Sequence, residues 1–346
     1  MRVVVIGATG NVGTSVLRAL GGDETVTSIL GVARRLPSAK FEKTEFASLD
    51  ITRDKLAGHL RGADCVIHLA WLIQPSHDQK TLRRTNVDGS QRVLDAVAAA
   101  DVPALVVASS VGAYSPRADD RPVDESWPRE GIPASWYSRQ KAEVERRLDR
   151  LEERHPELRV VRLRPAITTK REAASEQRRL FAGPFLPSRL LRPGWIPFVP
   201  DVPGLTLQLV HADDVADAYR RAATADVRGA FNVAPDSVLD AAAIARVLGT
   251  RTLRFPERLL RGAALATWLA RLQPTSPDWI DLALGAPVLD SSRARSELGW
   301  TAVRSPEETL REVVEGVRSG AGGETPPLEP GRRGDELRAG VGGDQI

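Results

Sequence analysis

Tyr137 and Lys141 stand four residues apart in the run WYSRQKAEVERRLDRLEER (136–154), whose periodicity predicts one long helix. That spacing puts both side chains on one helical face. A phenol titrates near 10 and is a poor base at neutral pH, whereas a neighbouring ammonium favours phenolate and lowers that pKa. Tuned in this way, Tyr137 can pass a proton to or from a substrate oxygen. Ser109 and Ser110 close the apolar run ALVVASS (104–110). A hydroxyl at a strand's carboxyl end, where doubly wound sheets place their ligands, can hydrogen-bond that oxygen and stabilise charge developing on it. A lone Tyr-x-x-x-Lys is commonplace on protein surfaces, so the pair gains meaning from what precedes it.

Residues 7–13 read GATGNVG, directly after the apolar run RVVVI (2–6) and opening an amphipathic stretch that ends at Gly21-Gly22. Strand, glycine turn and helix in that order form a phosphate cradle. Gly7 permits the tight turn, and Gly10 and Gly13 let backbone and helix approach a pyrophosphate, which the helix N-terminus stabilises. Thr9, Asn11 and Val12 complete the loop. NAD selectivity usually rests on an acid at the end of the second strand. Here that strand ends ILGVARR, with Ala33 in the acidic place and Arg34 and Arg35 after it. NADP, with its 2′-phosphate, is therefore expected in preference to NAD.

The elements that must hold these groups alternate along the first half. Candidate strands are 2–6, 26–33, 43–47, 64–70, 104–110 and 158–164, rich in Val, Ile and Leu and without strict alternation. Such runs suit strands covered on both faces of a parallel sheet. Helical stretches lie between them, including 86–100. The expected fold class is α/β, a doubly wound parallel (Rossmann) sheet with a smaller, mainly helical C-terminal substrate lobe. Residues 1–165 and 207–235 form the nucleotide-binding domain in this reading, and 166–206 and 236–318 form the lobe. After about Gly320 the apolar content is too low for a core, so 319–346 is expected to be disordered.

The glycine spacing departs from the commoner Gly-x-Gly-x-x-Gly and resembles the extended short-chain dehydrogenase/reductase family, of the NAD-dependent epimerase/dehydratase type. VIHLAW (66–71), NVDGS with Asn86, SSVGAY (109–114), YSRQK (137–141), RLRPA (162–166), VHADDVADA (210–218), FNVAP (231–235) and SELGW (296–300) follow in the family's order. The resemblance spans roughly residues 1–315. It implies that Asp50 and Ile51 contact adenine, that Leu69, Ala70 and Trp71 pass beside the cofactor, and that Asn86 steadies the site. It assigns the substrate oxygen to Ser110, which lies four residues before Tyr114 as the family's serine does. Tyr137 then serves as acid and base, and Lys141 binds the nicotinamide ribose. Ser109, Pro165 and Ile167 join Tyr137 and Lys141 as cofactor contacts, and Tyr114 is a wall or packing residue.

The implied activity is that of an NAD(P)-dependent oxidoreductase acting on a carbonyl or alcohol. A nucleotide-sugar epimerase with transient oxidation is the second reading, and a non-catalytic NAD(P)-binding regulator the third. Regulators of this type usually lack the tyrosine-lysine pair. Dehydratases carry acids beside the catalytic serine, where Val111 and Gly112 stand here. Epimerases usually have the strand-two acid that Ala33 replaces.

Other partners are disfavoured. Basic residues number 48 against 45 acids, a net charge of only +3, and Arg pairs such as Arg83-Arg84 and Arg146-Arg147 are scattered among acids. A nucleic-acid protein gathers them into a stripe. Cys65 is the single cysteine, which excludes an intramolecular disulfide and fits a reducing compartment. The N-terminal apolar run is too short for a signal-peptide core, so the cytoplasm is expected. The histidines form no ligand-spaced cluster, and His68 reads as a hydrogen-bonded core residue. Beside His211, Asp213 or Asp214 is expected to cap a helix rather than bind metal. LLRGAALATWLARL (259–272) is an amphipathic helix expected to pack in the lobe or against a second copy in a homodimer, rather than on a membrane. Trp71, Trp195, Trp268 and Trp279 suggest an apolar pocket for a small-molecule substrate.

Overall fold

The computed structural model describes residues 1–73, 78–182 and 196–330. His77, Trp195 and the last part of the tail lie outside these residues. In chain order the strands are β1 (Arg2–Ile6), β2 (Ser28–Ala33), β3 (Thr44–Ser48), β4 (Cys65–His68), β5 (Ala104–Ala108) and β6 (Arg159–Pro165). They continue as β7 (Ile167–Thr169), β8 (Val199–Asp201), β9 (Leu209–His211), β10 (Gly229–Val233) and β11 (Thr252–Arg254). One seven-stranded sheet runs in the order β10-β6-β5-β4-β1-β2-β3, with every pairing parallel. β7 pairs with β9 and β8 with β11.

Successive residues of a strand point to opposite faces, and both faces here are covered. Val3 and Val5 of β1 pack with Val16, Leu17 and Leu20 of helix Asn11–Gly21 and with Val215 and Ala218 of helix Ala212–Thr224. Val4 and Ile6 pack on the other side, with Val93 and Leu94 of helix Ser90–Ala99 and Val144 and Leu148 of helix Trp136–Arg154. This two-sided burial explains the unbroken Val/Ile runs. From β1 the chain winds outward to β2 and β3, then crosses back to β4 on the other side. The crevice at the carboxyl ends of β1 and β4 is the ligand-binding position of such sheets.

β2, β4 and β5 are shorter than their apolar runs. Val26 and Thr27 only lead into β2, and Leu69 leaves the ladder after donating its amide to the Ile6 carbonyl at 2.8 Å. The segment expected to be helical from Asn86 begins with a wider π-helical turn, Arg84–Gly89.

The tail departs from expectation. Gly320, at φ 66°, ends helix Pro306–Ser319 in the left-handed region. The carbonyl of Ala321 accepts from the amide and hydroxyl of Ser175 at 3.2 and 2.6 Å. The Thr325 hydroxyl donates to the Thr9 carbonyl at 2.7 Å, and Leu328 is buried. Two anchored side chains and a few backbone bonds therefore dock residues 320–330, which mean composition does not register. Helix Glu257–Leu269 has no buried residue, and Leu259, Leu265 and Leu269 are exposed. Among the described residues no helix is long and apolar enough to cross a membrane.

Candidate active site and cofactor cradle

Each glycine of the first loop answers a different steric demand. Gly7 sits at φ +91°, and a Cβ there would meet the Ala70 nitrogen at 2.6 Å. A Cβ on Gly13 would fall 2.3 Å from the Gly7 carbonyl oxygen, whereas one on Gly10 would meet nothing closer than 3.8 Å. Gly13 thus seats the helix on the loop, and Gly10 leaves its face open. Gly10 also begins the helix and brings no side-chain acceptor to its first turn. That turn can take a phosphate oxygen instead, so the cradle fits a dinucleotide. Thr9 is buried. Val12 packs against the core, and Asn11 donates from Nδ2 to the Thr168 carbonyl at 3.0 Å.

The residues expected around the adenosine end follow β2 and β3. Ala33 is buried at the end of β2, while Arg34 and Arg35 extend into solvent. Burial raises the pKa of Asp50, but the amide and hydroxyl of Thr52, then Arg53 and Arg34, outweigh it and hold the carboxylate below its ordinary value. Ile51 is buried against Gly89. Pro165 closes β6, and Ile167 is half exposed at the start of β7.

The catalytic candidates meet where β5 ends. Helix Trp136–Arg154 is capped by Ser135, whose hydroxyl accepts from the Ser138 amide, and Ser138 in turn donates to the Gly112 carbonyl. A Cβ on Gly112 would fall 2.8 Å from Tyr137 Cε1, so glycine there lets the tyrosine approach. The Ser110 hydroxyl accepts from the Gly112 amide at 3.0 Å and hydrogen-bonds the Tyr137 phenol. Lys141 Nζ donates to the Ala108 carbonyl at 2.8 Å and lies 3.6 Å from the centre of the Trp71 ring.

Burial sets the electrostatics of the ligand-free site. Burial pushes Tyr137 up to about 12, with the Ser110 hydrogen bond opposing it. Burial pushes Lys141 down to about 7, with the Glu145 charge opposing it. Desolvation dominates at the phenol, and Lys141 Nζ stands 5.9 Å from the Tyr137 ring centre. A cation bound beside both groups would favour the phenolate.

Asn86 and Ser109 act one step back. Asn86 Oδ1 accepts from the Leu72 amide at 2.7 Å, and Nδ2 donates to the Leu72 carbonyl and to Gln140. It ties the chain beyond Trp71 to the tyrosine's helix. The Ser109 hydroxyl is committed to Glu145 at 2.5 Å, which leaves Ser110 as the serine beside the phenol. Tyr114 is fully buried, its hydroxyl bonded to Asn232 and Arg164.

Glu145, which motif reasoning passes over, receives Arg164 at 2.9 and 3.1 Å and Arg162 at 3.0 Å, all deeply buried. Two arginines at i and i+2 on a strand that must be buried require an acid facing them. Glu145, one helical turn after Lys141, is the residue that spacing offers.

Two further expectations resolve. Helix Ala212–Thr224 is capped by neither aspartate: the His211 ring accepts from the Asp213 amide at 3.1 Å. Asp213 instead accepts from Ser15 and Asp214 from the Arg304 amide, so both carboxylates serve tertiary contacts. His68 bonds Ser90 at 2.9 Å, and burial pushes it down to about 3. Among the described residues no group of three His, Cys, Asp or Glu side chains could hold a metal.

The model of the NAD dependent epimerase/dehydratase family matches residues 3–174. An L-arabinose 1-dehydrogenase (NAD(P)(+)) of Haloferax volcanii is 34% identical over 110 residues, which are 32% of this chain and 41% of that protein. An uncharacterized protein of Mycobacterium tuberculosis is 26% identical across 89% of this chain and 83% of its own length. The UDP-glucose 4-epimerase of Thermus thermophilus, solved with NAD, superposes with a TM-score of 0.67 at 20% identity, over 92% of this chain and 99% of that one. With its parallel sheet, its glycine cradle and the family match through residues 3–174, the chain belongs to the NAD-dependent epimerase/dehydratase family.

Proposed function

We propose that the protein is an oxidoreductase of the extended short-chain type, exchanging a hydride between a nicotinamide dinucleotide and a carbonyl or alcohol. The observation that carries this reading is the convergence of Ser110, Tyr137 and Lys141 beside the crevice between β1 and β4. Gly7, Gly10 and Gly13 would hold the pyrophosphate, and Lys141 the nicotinamide ribose. Bound there, the dinucleotide supplies the two-electron hydride exchange. Tyr137 Oη takes the alcohol proton in oxidation or returns it in reduction. Ser110 Oγ hydrogen-bonds the same substrate oxygen and loses little entropy in doing so, because the Gly112 amide already fixes it. Lys141, when charged, favours the phenolate.

NADP is the preferred dinucleotide in this reading, supported by the exposed Arg34 and Arg35 at the end of β2 and the absence of an acid at Ala33. The buried alanine also weighs against a permanently held NAD, the usual arrangement of the epimerases. Tyr137→Phe should keep the fold and dinucleotide affinity while turnover falls by about 10²–10⁴-fold. Retention of more than about a third of wild-type turnover would remove Tyr137 from the proton path. Net formation or loss of NAD(P)H in step with product separates an oxidoreductase from an epimerase, which returns its hydride.

A further inference from the structure

Helix Glu257–Leu269 turns a leucine face outward. Its inner side, with Leu260, Ala264, Thr267 and Trp268, is half-buried, and none of its residues is fully buried. Leu259, Gly262, Ala266 and Leu269 recur at helical spacing and are all exposed, with exposed Leu265 one turn before Leu269. Leu253 in β11 and Leu272, which flank the helix in the chain, are exposed as well. These five leucines are between 43% and 64% exposed, and they are half of the large apolar side chains that stand exposed among the described residues. The outer face of a surface helix is ordinarily polar. Single exposed leucines are ordinary too, but so many on one short stretch mark a surface that meets a partner.

Charge decides between partners. Residues 251–272 hold five arginines, Arg251, Arg254, Arg258, Arg261 and Arg271, against one acid, Glu257. All six are exposed. The net charge of the whole chain is only +3, so this stretch is more positive than the chain that carries it. Arg261 pairs with Asp281 at 3.0 Å, and the other four arginines make no ion pair among the described residues. Arg258 and Arg261 precede Leu265 by two turns and one turn, so they border the leucine face.

A second copy laid on this face would cover the leucines but set its own arginines against these, and like charges across an interface are costly. Nucleic acid would answer the arginines and leave the leucines in water. A bilayer rich in anionic lipid meets both demands. Leucines enter the boundary between headgroups and acyl chains, while guanidinium groups pair with lipid phosphates beside them. Packing within the lobe, which the sequence also allows, would have turned these leucines inward.

We infer that helix Glu257–Leu269, with the arginines around it, is a docking surface for an anionic phospholipid bilayer, on which the helix lies without crossing. Co-sedimentation of the full chain with vesicles tests this. Vesicles of phosphatidylglycerol and phosphatidylcholine in equal parts should bind the protein, and pure phosphatidylcholine vesicles should bind it at least about tenfold less. Arg254→Gln combined with Arg258→Gln should weaken binding to the mixed vesicles about thirtyfold, a loss of about 1 kcal/mol for each arginine. Leu265→Glu combined with Leu269→Glu should abolish binding while the melting temperature stays within about 2 °C of wild type, because both side chains face water. Equal binding to the two kinds of vesicle, binding to neither, or either double variant binding as wild type does would overturn the inference. So would sedimentation of the wild type as a dimer that the leucine variant splits, since that result assigns the face to a second copy.

Discussion

Replacing Glu145 by Gln removes one charge from a cluster in which Glu145 and Arg164 are almost fully enclosed. The carboxylate accepts from Ser109, from Arg162 and twice from Arg164. Glutamine keeps the shape but turns an acceptor edge into an N–H donor facing guanidinium donors, and leaves Arg162 and Arg164 with less counter-charge. Removing one partner of a buried pair costs about 3–5 kcal/mol, so urea unfolding at pH 7 should show a loss of that order. The pH dependence has a definite sign. Burial raises Glu145, but Arg164 and then Arg162 and Ser109 overcome it and hold the carboxyl down to about 2, against an ordinary 4.5. Its folded pKa is depressed, so its stabilisation is complete above about 4.5 and fades as pH falls toward 2. The gap between wild type and variant should close over that window. The same charge supports protonated Lys141. Its removal should therefore move the Lys141 titration further down and weaken dinucleotide binding at neutral pH. A Glu145→Gln protein within about 1 kcal/mol of wild type, with an unshifted pH profile of dinucleotide affinity, would refute the account.

Arg34→Ala should remove most of the preference for NADP and hardly touch NAD binding. Hydrogen bonds to charged groups contribute about 1.5–3 kcal/mol, and solvent exposure places this one near the lower end, roughly tenfold. Parallel titration of both dinucleotides against wild type and variant measures it, and tighter NAD binding by the wild type would end the NADP assignment. Thr325→Val leaves the Thr9 carbonyl facing a methyl group, so thermal unfolding should fall by a few degrees, reflecting about 1–3 kcal/mol for an unpaired buried acceptor. An unchanged melting temperature would mean the docked segment adds nothing to the cradle.

Much of the sheet could be read from the chain because buried parallel strands must be apolar throughout, and the Val/Ile runs at β1, β4 and β5 leave no alternative. The tyrosine's helix was equally legible from its period. The glycine loop was legible because Gly7 and Gly13 satisfy steric limits that few other residues could meet. What sequence alone did not supply was contact between distant segments. Nothing local announces that Asp278 will accept from the Trp136 amide, or that Trp279 will lie beside Tyr137. The capping of helix Ala212–Thr224 failed for a related reason: Ser15 and Arg304, far away in the chain, claim the aspartates that propensity would place at the cap. The strength of desolvation at the phenol was equally hidden, since it depends on how completely distant segments enclose Tyr137.

The bond from Thr325 to Thr9 joins residues 316 positions apart. During synthesis the cradle loop leaves the ribosome 316 residues before its final neighbour. Closing so long a loop gains nothing until Thr325 has been made, and contacts of this separation are the slow ones in folding. The nascent protein can thus assemble β1 and its glycine turn early, yet the Thr9 side of the loop stays open until residues 320–330 arrive. Residues 320–330 are therefore a late addition to the cradle, whereas β1, at the centre of the sheet, is an early one.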